Sequence, residues 1–231
     1  MTQLSGGELC LIYTASGILQ TTVNVLELGV NVMGIESAKT GKLLYHLTEL
    51  DNLDSIIKYG LLPRKVILEH SIKFNDVADE NIIDKRMELG LGGYTPFHFH
   101  PYSAFDVAVK NTHNAQKMIY ICIDRELARQ NGFRVLPRHP LSGDKFKLYD
   151  YDEGFDLIDW DTLTKVGRND TYAKEVKMAE CLTDLIVPPK CFKCIYVPSE
   201  DVKQIVEKRF EKHNIDFPPP YINVMKQWFV Y

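Results

Sequence analysis

Three polar side chains stand out in the sequence because each lies beside an apolar run. His46 lies within "LLYHL", Arg86 follows "NIIDK", and Glu180 opens "ECLTDLIV". A carboxylate in a water-excluded site can stabilise a nearby cation, and a guanidinium can form paired hydrogen bonds with phosphate. Taken singly, each residue also has a structural explanation: a half-buried histidine, a solvated arginine and a paired glutamate. Their chemistry therefore depends on whether the fold brings them together.

The segment around His46 has the pattern of a strand, a turn and a short helix. Residues 43–47 form an apolar run of strand length. Thr48 is predicted to cap the helix, because its hydroxyl can accept a hydrogen bond from an unpaired backbone N–H group. Gly60 is predicted to end the helix, because it tolerates a positive φ. Between them one helix face carries Leu53, Ile56 and Ile57.

The other elements follow from apolar periodicity, and together they predict an α+β fold. Residues 1–40 favour one or two strands, and residues 65–91 are polar and favour helix. Residues 94–105 alternate rings with polar residues and contain prolines, which favour an edge strand or a position beside a cleft. Residues 117–124 and 191–198 are predicted as buried strands, and residues 200–215 as an amphipathic helix. The segment "QWFVY" is predicted as a final strand.

Composition indicates one soluble globular domain. The 231 residues are 45% hydrophobic and 25% charged, and the formal net charge is −4, so binding to nucleic acid would need a local basic patch. Residues 11–33 are interrupted by polar residues and Glu27, so we expect neither a signal peptide nor a membrane span. Cys191 and Cys194 form a lone C-x-x-C pair, too few ligands for zinc. These features fit a cytoplasmic protein with no metal site.

The chain from about residue 43 resembles the DarT family of DNA ADP-ribosyltransferases, toxins that use NAD to modify bases in single-stranded DNA. The resemblance divides the chain into an N-terminal extension of unclear role, residues 1–40, and a transferase domain, residues 41–231. It implies an ADP-ribosyltransferase-like fold with central split antiparallel β-sheets flanked by helices. The matching pieces keep the family order: "YHLTELDNLDSIIKYGLL", "DKRM", "GGYTPFHFHPYSAF", "MIYICID", "DLIDWDTL", "MAECLTDLIVP", "IYVPSEDVKQIVE" and "QWFVY".

The same resemblance implies roles for individual residues. Glu180 and Arg86 would be catalytic, and Ser103 would lie near the substrate. The family usually has Pro-x-Ser-Pro-Met where this chain has "PYSAF", so the identity of the modified base stays open. NAD, as co-substrate, would contact Arg86 and six further residues: His46, Thr48, Asn52, Gly60, Tyr94 and Phe97.

Cleavage of the bond between nicotinamide and ribose makes the ribose carbon positive, which a carboxylate at Glu180 would stabilise. Glu180 could also take the proton from the attacking base nitrogen. Arg86 suits the pyrophosphate or an adjacent ribose, since its guanidinium can bond two oxygens at once. The sequence has neither a G-x-G-x-x-G fingerprint nor a P-loop, so any NAD site is not of the Rossmann type.

Single-stranded DNA would need cations and flat rings along its path. Residues 125–147, called here the basic segment, offer six cations, Arg125, Arg129, Arg134, Arg138, Lys145 and Lys147, interleaved with Phe133 and Phe146. We expect Arg134 and Arg138 to bind the substrate. A solvated loop of mixed charge explains the same composition equally well.

The resulting hypothesis is NAD-dependent mono-ADP-ribosylation of a nucleobase in single-stranded DNA, by a toxin or a phage-defence effector. Because such an activity damages the host genome, the resemblance implies a macrodomain antitoxin like DarG. Two alternatives remain open: transfer to RNA or protein, and a non-catalytic nucleic-acid-binding module on the same fold.

Overall fold

A computed structural model describes residues 38–78, 80–139, 146–165 and 170–230. The N-terminal extension 1–40, with the strands expected there, lies outside the described residues except for its last three. Eight strands form one sheet in the described part: β1 Leu43–Glu49, β2 Thr95–His98, β3 Met118–Asp124, β4 Arg134–Leu136, β5 Tyr149–Asp150, β6 Glu180–Thr183, β7 Cys194–Val197 and β8 Tyr221–Val224. The helices are α1 Leu53–Tyr59, α2 Arg64–Glu69, α3 Glu80–Glu88, α4 Ala104–Thr112, α5 Arg125–Gln130, α6 Tyr151–Leu157, α7 Trp160–Thr164, α8 Thr171–Val176 and α9 Glu200–Lys212.

The sheet is divided into two halves. Its strand order is β5-β4-β6-β2-β1-β3-β7-β8, and the pairs are antiparallel except for β7 with β8. β1 pairs with β3 from Leu43 to Glu49, but β1 and β2 meet only at Tyr45 and His98. The weak junction between β1 and β2 confirms the predicted α+β class with a split, mainly antiparallel sheet.

Two apolar layers cover the half of the sheet that contains β1. On one face, Leu44 of β1 and Ile121 of β3 belong to the cluster that includes Leu53 of α1 and Phe210 of α9. On the other face, Tyr120 of β3 packs with Trp228 and Phe229 near the C-terminus, and half-buried Tyr45 and Tyr196 pack against this group. Burying one such side chain contributes about 1.5–3 kcal/mol, so these layers fix the strands that carry the site.

Two expectations about the strands need correction. An edge position for residues 94–105 is wrong, because β2 contains Pro96 but lies inside the sheet, between β6 and β1; the alternative, a position beside a cleft, stays a prediction. The proline is tolerated there because the pairing of β2 with β1 does not extend to it. The final strand is β8, which follows the proline run, whereas the start of "QWFVY" belongs to a 3₁₀ turn, Lys226–Trp228. No helix in the described ranges is long and apolar enough to cross a membrane.

Candidate active site

Arg86 and Glu180 form a buried ion pair although 94 residues separate them in the chain. Nη1 of Arg86 donates to both carboxylate oxygens of Glu180, at 3.0 and 2.9 Å. Arg86 comes from the last turn of α3 and is 5% exposed, and Glu180 begins β6 and is 2% exposed. Charged groups are rarely this buried unless they are paired, so this pair defines the candidate site.

The register of the sheet sets the direction of the Glu180 side chain. Glu180 lies opposite His98 of β2 and opposite Leu136 of β4. Paired residues of neighbouring strands project to the same face, so the carboxylate shares its face with His98 and Leu136. The short apolar strand thus places one carboxylate next to α3, which supplies the guanidinium.

Glu180 is held in its charged form. Burial raises the pKa of the carboxyl, but the Arg86 guanidinium outweighs burial and keeps that pKa below its ordinary value. Nη2 of Arg86 is buried and has no hydrogen-bond partner among the described residues. An unpaired buried donor is costly, and a phosphate or ribose oxygen would satisfy it, so the pair fits a dinucleotide.

His139 completes this cluster and was not identified from the sequence. It follows β4 by three residues and is 5% exposed, and its Nδ1 has no hydrogen-bond partner within the part of the chain that the structure describes. Burial lowers the pKa of His139 to about 4, with Glu180 opposing and Arg86 adding to that shift. The only sequence clue is its place in "PRHPL", a motif typical of a loop. The imidazole is neutral beside the ion pair.

His46 lies at the junction of the two sheet halves, on the other face from Glu180. Its neighbour Tyr45 pairs with His98, and alternation along β1 turns His46 the opposite way. The His46 ring contacts Phe97, and its Nδ1 lies 3.2 Å from the carbonyl oxygen of Pro96. Burial lowers its pKa to about 3. The expected convergence of three side chains therefore holds for Arg86 and Glu180 but not for His46.

Thr48 does not cap the helix, because it lies inside β1 and a 3₁₀ turn, Leu50–Asn52, precedes α1. Its hydroxyl accepts a hydrogen bond from Nδ2 of Asn52 at 3.1 Å. Asn52 also donates to the carbonyl of Asn75 and accepts from the N–H group of Asn75, at 2.9 and 2.7 Å. Both predicted cofactor residues are thus engaged in holding the segment that leads to α3.

The other three residues predicted to bind the cofactor are Gly60, Tyr94 and Phe97. Gly60 ends α1 with a φ of +83°, as predicted, and an added Cβ would lie 2.8 Å from the carbonyl oxygen of Val187. Tyr94 is half-buried and packs on the cluster of Leu91, Leu136 and Leu182, on the Glu180 face. Phe97 is fully buried in the opposite layer, against His46.

The predicted substrate residue Ser103 begins α4. Its hydroxyl accepts from the N–H group of Asp106 at 3.0 Å, and the Asp106 carboxylate accepts from the N–H group of Ser103. This reciprocal capping box is complete and fully buried. The hydroxyl therefore has a structural partner.

The structure does not support a continuous DNA path along the basic segment, and the mixed-charge interpretation accounts better for most of it. Arg125 is buried and donates to the backbone carbonyls of Ala38, Lys39, Leu43 and Phe99. Phe133 is a core residue, and Lys145 lies outside the described residues. The remaining cations pair with acidic residues: Arg129 with Asp152, Arg134 with Asp150, Lys147 with Glu153, and Arg138 with Glu175.

Arg138 differs from the other cations because it borders the candidate site. It directly precedes His139, about half of its side chain is exposed, and its guanidinium lies 5.7 Å from the ring centroid of Tyr172. The partly exposed Tyr172 ring and this guanidinium form a cation–π contact at the edge of the buried cluster.

The fold is similar to that of solved DarT structures from Thermus sp. 2.9. DarT of Thermus sp. 2.9 in complex with ADP-ribosylated single-stranded DNA aligns with a TM-score of 0.70 at 21% identity, covering 82% of this chain and 96% of that one. The complex of the same protein with NAD⁺ gives a TM-score of 0.66 at 19% identity, covering 82% and 98%. These likenesses confirm the ADP-ribosyltransferase-like fold.

Sequence comparison gives the family. A relative from Thermosipho africanus, a "DNA ADP-ribosyl transferase-DNA ADP-ribosyl glycohydrolase fusion protein", is 22% identical over 186 residues, which is 76% of this chain and 47% of the relative. The chain thus spans about half the length of this relative. The sequence model described as "ssDNA thymidine ADP-ribosyltransferase, DarT" matches residues 45–230. Since that match covers most of the sequence, the chain belongs to the DarT family.

Proposed function

We propose that this chain transfers ADP-ribose from NAD to thymidine in single-stranded DNA, with Glu180 and Arg86 at the reaction centre. The observation that carries the proposal is the buried ion pair between them, in which one guanidinium nitrogen has no partner in the described ranges of the chain. NAD supplies the ADP-ribosyl group and nicotinamide as the leaving group. The family description supports thymidine as the acceptor, which the sequence alone left open.

Glu180 stabilises the positive charge that develops on the ribose carbon. Its carboxylate is ionised and fixed before the reaction, so little reorganisation is needed when charge appears. Removal of one such preorganised group typically costs about 10²–10³ in rate. Glutamine at this position would keep the shape and lose the charge.

Arg86 has two tasks in this proposal. Nη1 orients the Glu180 carboxylate, while Nη2 is available to a phosphate or ribose oxygen of NAD. Lysine would retain the charge but could not bond in both directions at once. We therefore expect an arginine to be required.

The other predicted residues have more peripheral roles. We propose that Asn52, with Thr48, holds the chain segment before α3 and so positions Arg86. His46 and Phe97 shape the junction between β1 and β2, where we place the cofactor, and Gly60 holds the end of α1 against Val187. Four residues remain candidates for the boundary with nicotinamide and DNA: Tyr94, Ser103, Arg134 and Arg138.

We also propose that the chain acts as a toxin in the cytoplasm and that a macrodomain glycohydrolase neutralises it. The Thermosipho africanus relative supports this, since its name joins a transferase and a glycohydrolase in one protein. A solved structure of Thermosipho africanus DarTG contains ADP-ribose, with a TM-score of 0.64 at 19% identity, covering 82% of this chain and 51% of that one.

The test is mass spectrometry of oligonucleotides incubated with the purified protein and NAD. A single-stranded oligonucleotide with one thymidine should gain one ADP-ribose, whereas the same sequence with cytidine in place of thymidine should not. Glu180→Gln should abolish the gain, and Glu207→Gln, on α9, is the matched control. If the protein modified only RNA or protein, DNA would not be the acceptor and the proposed substrate would be wrong. If it bound DNA tightly without consuming NAD, the result would favour a non-catalytic nucleic-acid-binding module.

A further inference from the structure

Two cysteines lie opposite each other on neighbouring strands of the sheet. Cys122 of β3 pairs with Cys194 of β7 in the antiparallel register, and both are free thiols. Their side chains are in hydrogen-bond contact, and the N–H group of Lys193 donates to the carbonyl of Cys122 at 2.8 Å. Opposed residues of an antiparallel pair have Cα atoms about 4.5–5.5 Å apart, and disulfides span about 4.4–6.8 Å. A bond between the two sulfur atoms therefore needs little movement of the backbone.

The C-x-x-C motif of the sequence does not provide this pair. Its first cysteine, Cys191, lies in the 3₁₀ turn before β7 and is already disulfide-bonded. Its second cysteine, Cys194, begins β7 and faces the neighbouring strand β3. The thiol partner of Cys194 is therefore Cys122, which is distant in sequence.

The surroundings make the two thiols unequal. Cys122 is fully buried, and burial together with the neighbouring Cys194 raises its pKa well above the ordinary value. Cys194 is 6% exposed, and the hydrogen bond from Cys122 lowers its pKa, with help from Tyr196 and from the exposed Lys193. The thiolate is the nucleophilic form of cysteine. Cys194 is therefore the thiol that reacts first, and Cys122 is placed to displace what Cys194 has bound.

We propose that Cys122 and Cys194 form a reversible oxidation site that reacts with peroxide and closes a disulfide between β3 and β7. The Cys194 thiolate attacks one peroxide oxygen, the O–O bond breaks, and the other oxygen leaves as hydroxide, which takes up a proton to become water. The sulfur of Cys122 then attacks the sulfenic acid on Cys194, and the sulfenic oxygen leaves with the Cys122 proton as a second water. Two thiols are thus oxidised by two electrons, and one peroxide is reduced to two waters.

The bridge would join the strands that carry the aromatic layer. β3 pairs with β1 along the whole of β1, and Tyr45 lies opposite Cys122 on that side. β7 in turn pairs with β8 from Cys194 to Val197. A disulfide between β3 and β7 constrains the unfolded chain over a long loop, so the oxidised protein should be the more stable form. The inference is independent of the proposed transfer reaction.

The experiment uses the spacing of lysines around the cysteines. Trypsin cuts after Lys117, Lys190 and Lys193, so Cys122, Cys191 and Cys194 fall in separate peptides, 118–125, 191–193 and 194–203. The folded protein is treated with hydrogen peroxide, its remaining thiols are alkylated, and the peptides are mapped by mass spectrometry. We expect peptides 118–125 and 194–203 to appear joined, and dithiothreitol to separate them. The melting temperature should rise by roughly 4–16 °C when the bridge closes.

Three variants test the order of the steps. In Cys122→Ala, Cys194 should stop at the sulfenic acid, which dimedone labels. In Cys194→Ala, Cys122 should remain a thiol, because it is fully buried. Cys181→Ala is the matched control, since Cys181 is an equally buried cysteine that lies opposite Phe97 and Val135. This control should form the bridge as the wild type does.

Several results would overturn the proposal. Peptides 118–125 and 194–203 recovered separately and alkylated would show that peroxide does not close the bridge. Joining of 194–203 to 191–193, or to a second molecule, would show that Cys122 is not the partner. A bridge that forms only in urea, or that lowers the melting temperature, would show that the folded sheet does not favour it. None of these results bears on transfer to thymidine, which the oligonucleotide assay tests separately.

Discussion

Replacing Arg86 by methionine tests the electrostatic account of the site without any substrate. The variant keeps a long side chain and removes the guanidinium, so the buried Glu180 carboxylate loses the group that donates to both of its oxygens. Removing one partner of a buried ion pair typically costs about 3–5 kcal/mol. For a chain of this size we expect a melting temperature lower by roughly 6–20 °C.

The pH dependence of that loss carries the sharper prediction. In the wild type the pKa of Glu180 is below its ordinary value, so its contribution to stability is present above that value and is lost as the pH falls through the folded-state pKa. Without Arg86, burial raises the pKa of Glu180 above its ordinary value. In the variant, Glu180 therefore contributes to stability only while it is protonated, and this contribution is lost as the pH rises through its raised pKa. Arg86→Met should therefore be most destabilising near neutral pH, where Glu180 would be buried and charged without a partner.

Urea unfolding of wild type, Arg86→Met and the double variant Arg86→Met/Glu180→Gln at about pH 5 and about pH 7.5 measures this effect. The double variant lacks the stranded charge and should recover most of the loss seen at the higher pH. Arg129→Met, which breaks the exposed pair with Asp152, is the control and should leave the urea midpoint close to that of the wild type at both pH values, because solvent screens exposed ion pairs. Equal loss at both pH values without recovery in the double variant would refute the reasoning.

Three further substitutions test the surrounding structure. Gly60→Ala should lower the free energy of unfolding by more than about 1 kcal/mol, because of the positive φ and the close carbonyl of Val187; an unchanged urea midpoint would contradict this. Ser103→Ala removes the cap that bonds the N–H group of Asp106 and should cost about 1 kcal/mol by the same measurement. Burial lowers the pKa of Lys110 from 10.5 to about 8, so the stability of wild type relative to Lys110→Met should rise by roughly 3 kcal/mol between about pH 8 and pH 10.5. A difference that is flat with pH would count against this.

Local patterns in the sequence predict the elements but not the spatial arrangement of the site. The strand of His46 and the helix that ends at Gly60 follow from apolar spacing and from one glycine. The position of Pro96 inside the sheet could not be predicted this way, because it depends on how far β1 and β2 remain paired. Strand order is a tertiary property that no short window contains.

For the candidate site, too, the sequence indicates individual residues but not how they are arranged in space. Arg86 and Glu180 were identified through the family resemblance, and their contact depends on α3 packing beside β6. His139 has no distinguishing neighbours in sequence, and its burial becomes evident only in the folded chain. The basic segment does not form the expected DNA path, because acidic residues close to it in sequence pair with its cations. These residues are Asp150, Asp152 and Glu153.

The most direct measurement is the mass of a single-thymidine oligonucleotide after incubation with NAD and either wild type or Glu180→Gln. The account predicts one added ADP-ribose per oligonucleotide with wild type and an unmodified strand with the variant, which must still fold and bind NAD. Equal modification by the two proteins would show that the buried carboxylate is not needed for transfer and would contradict the central claim.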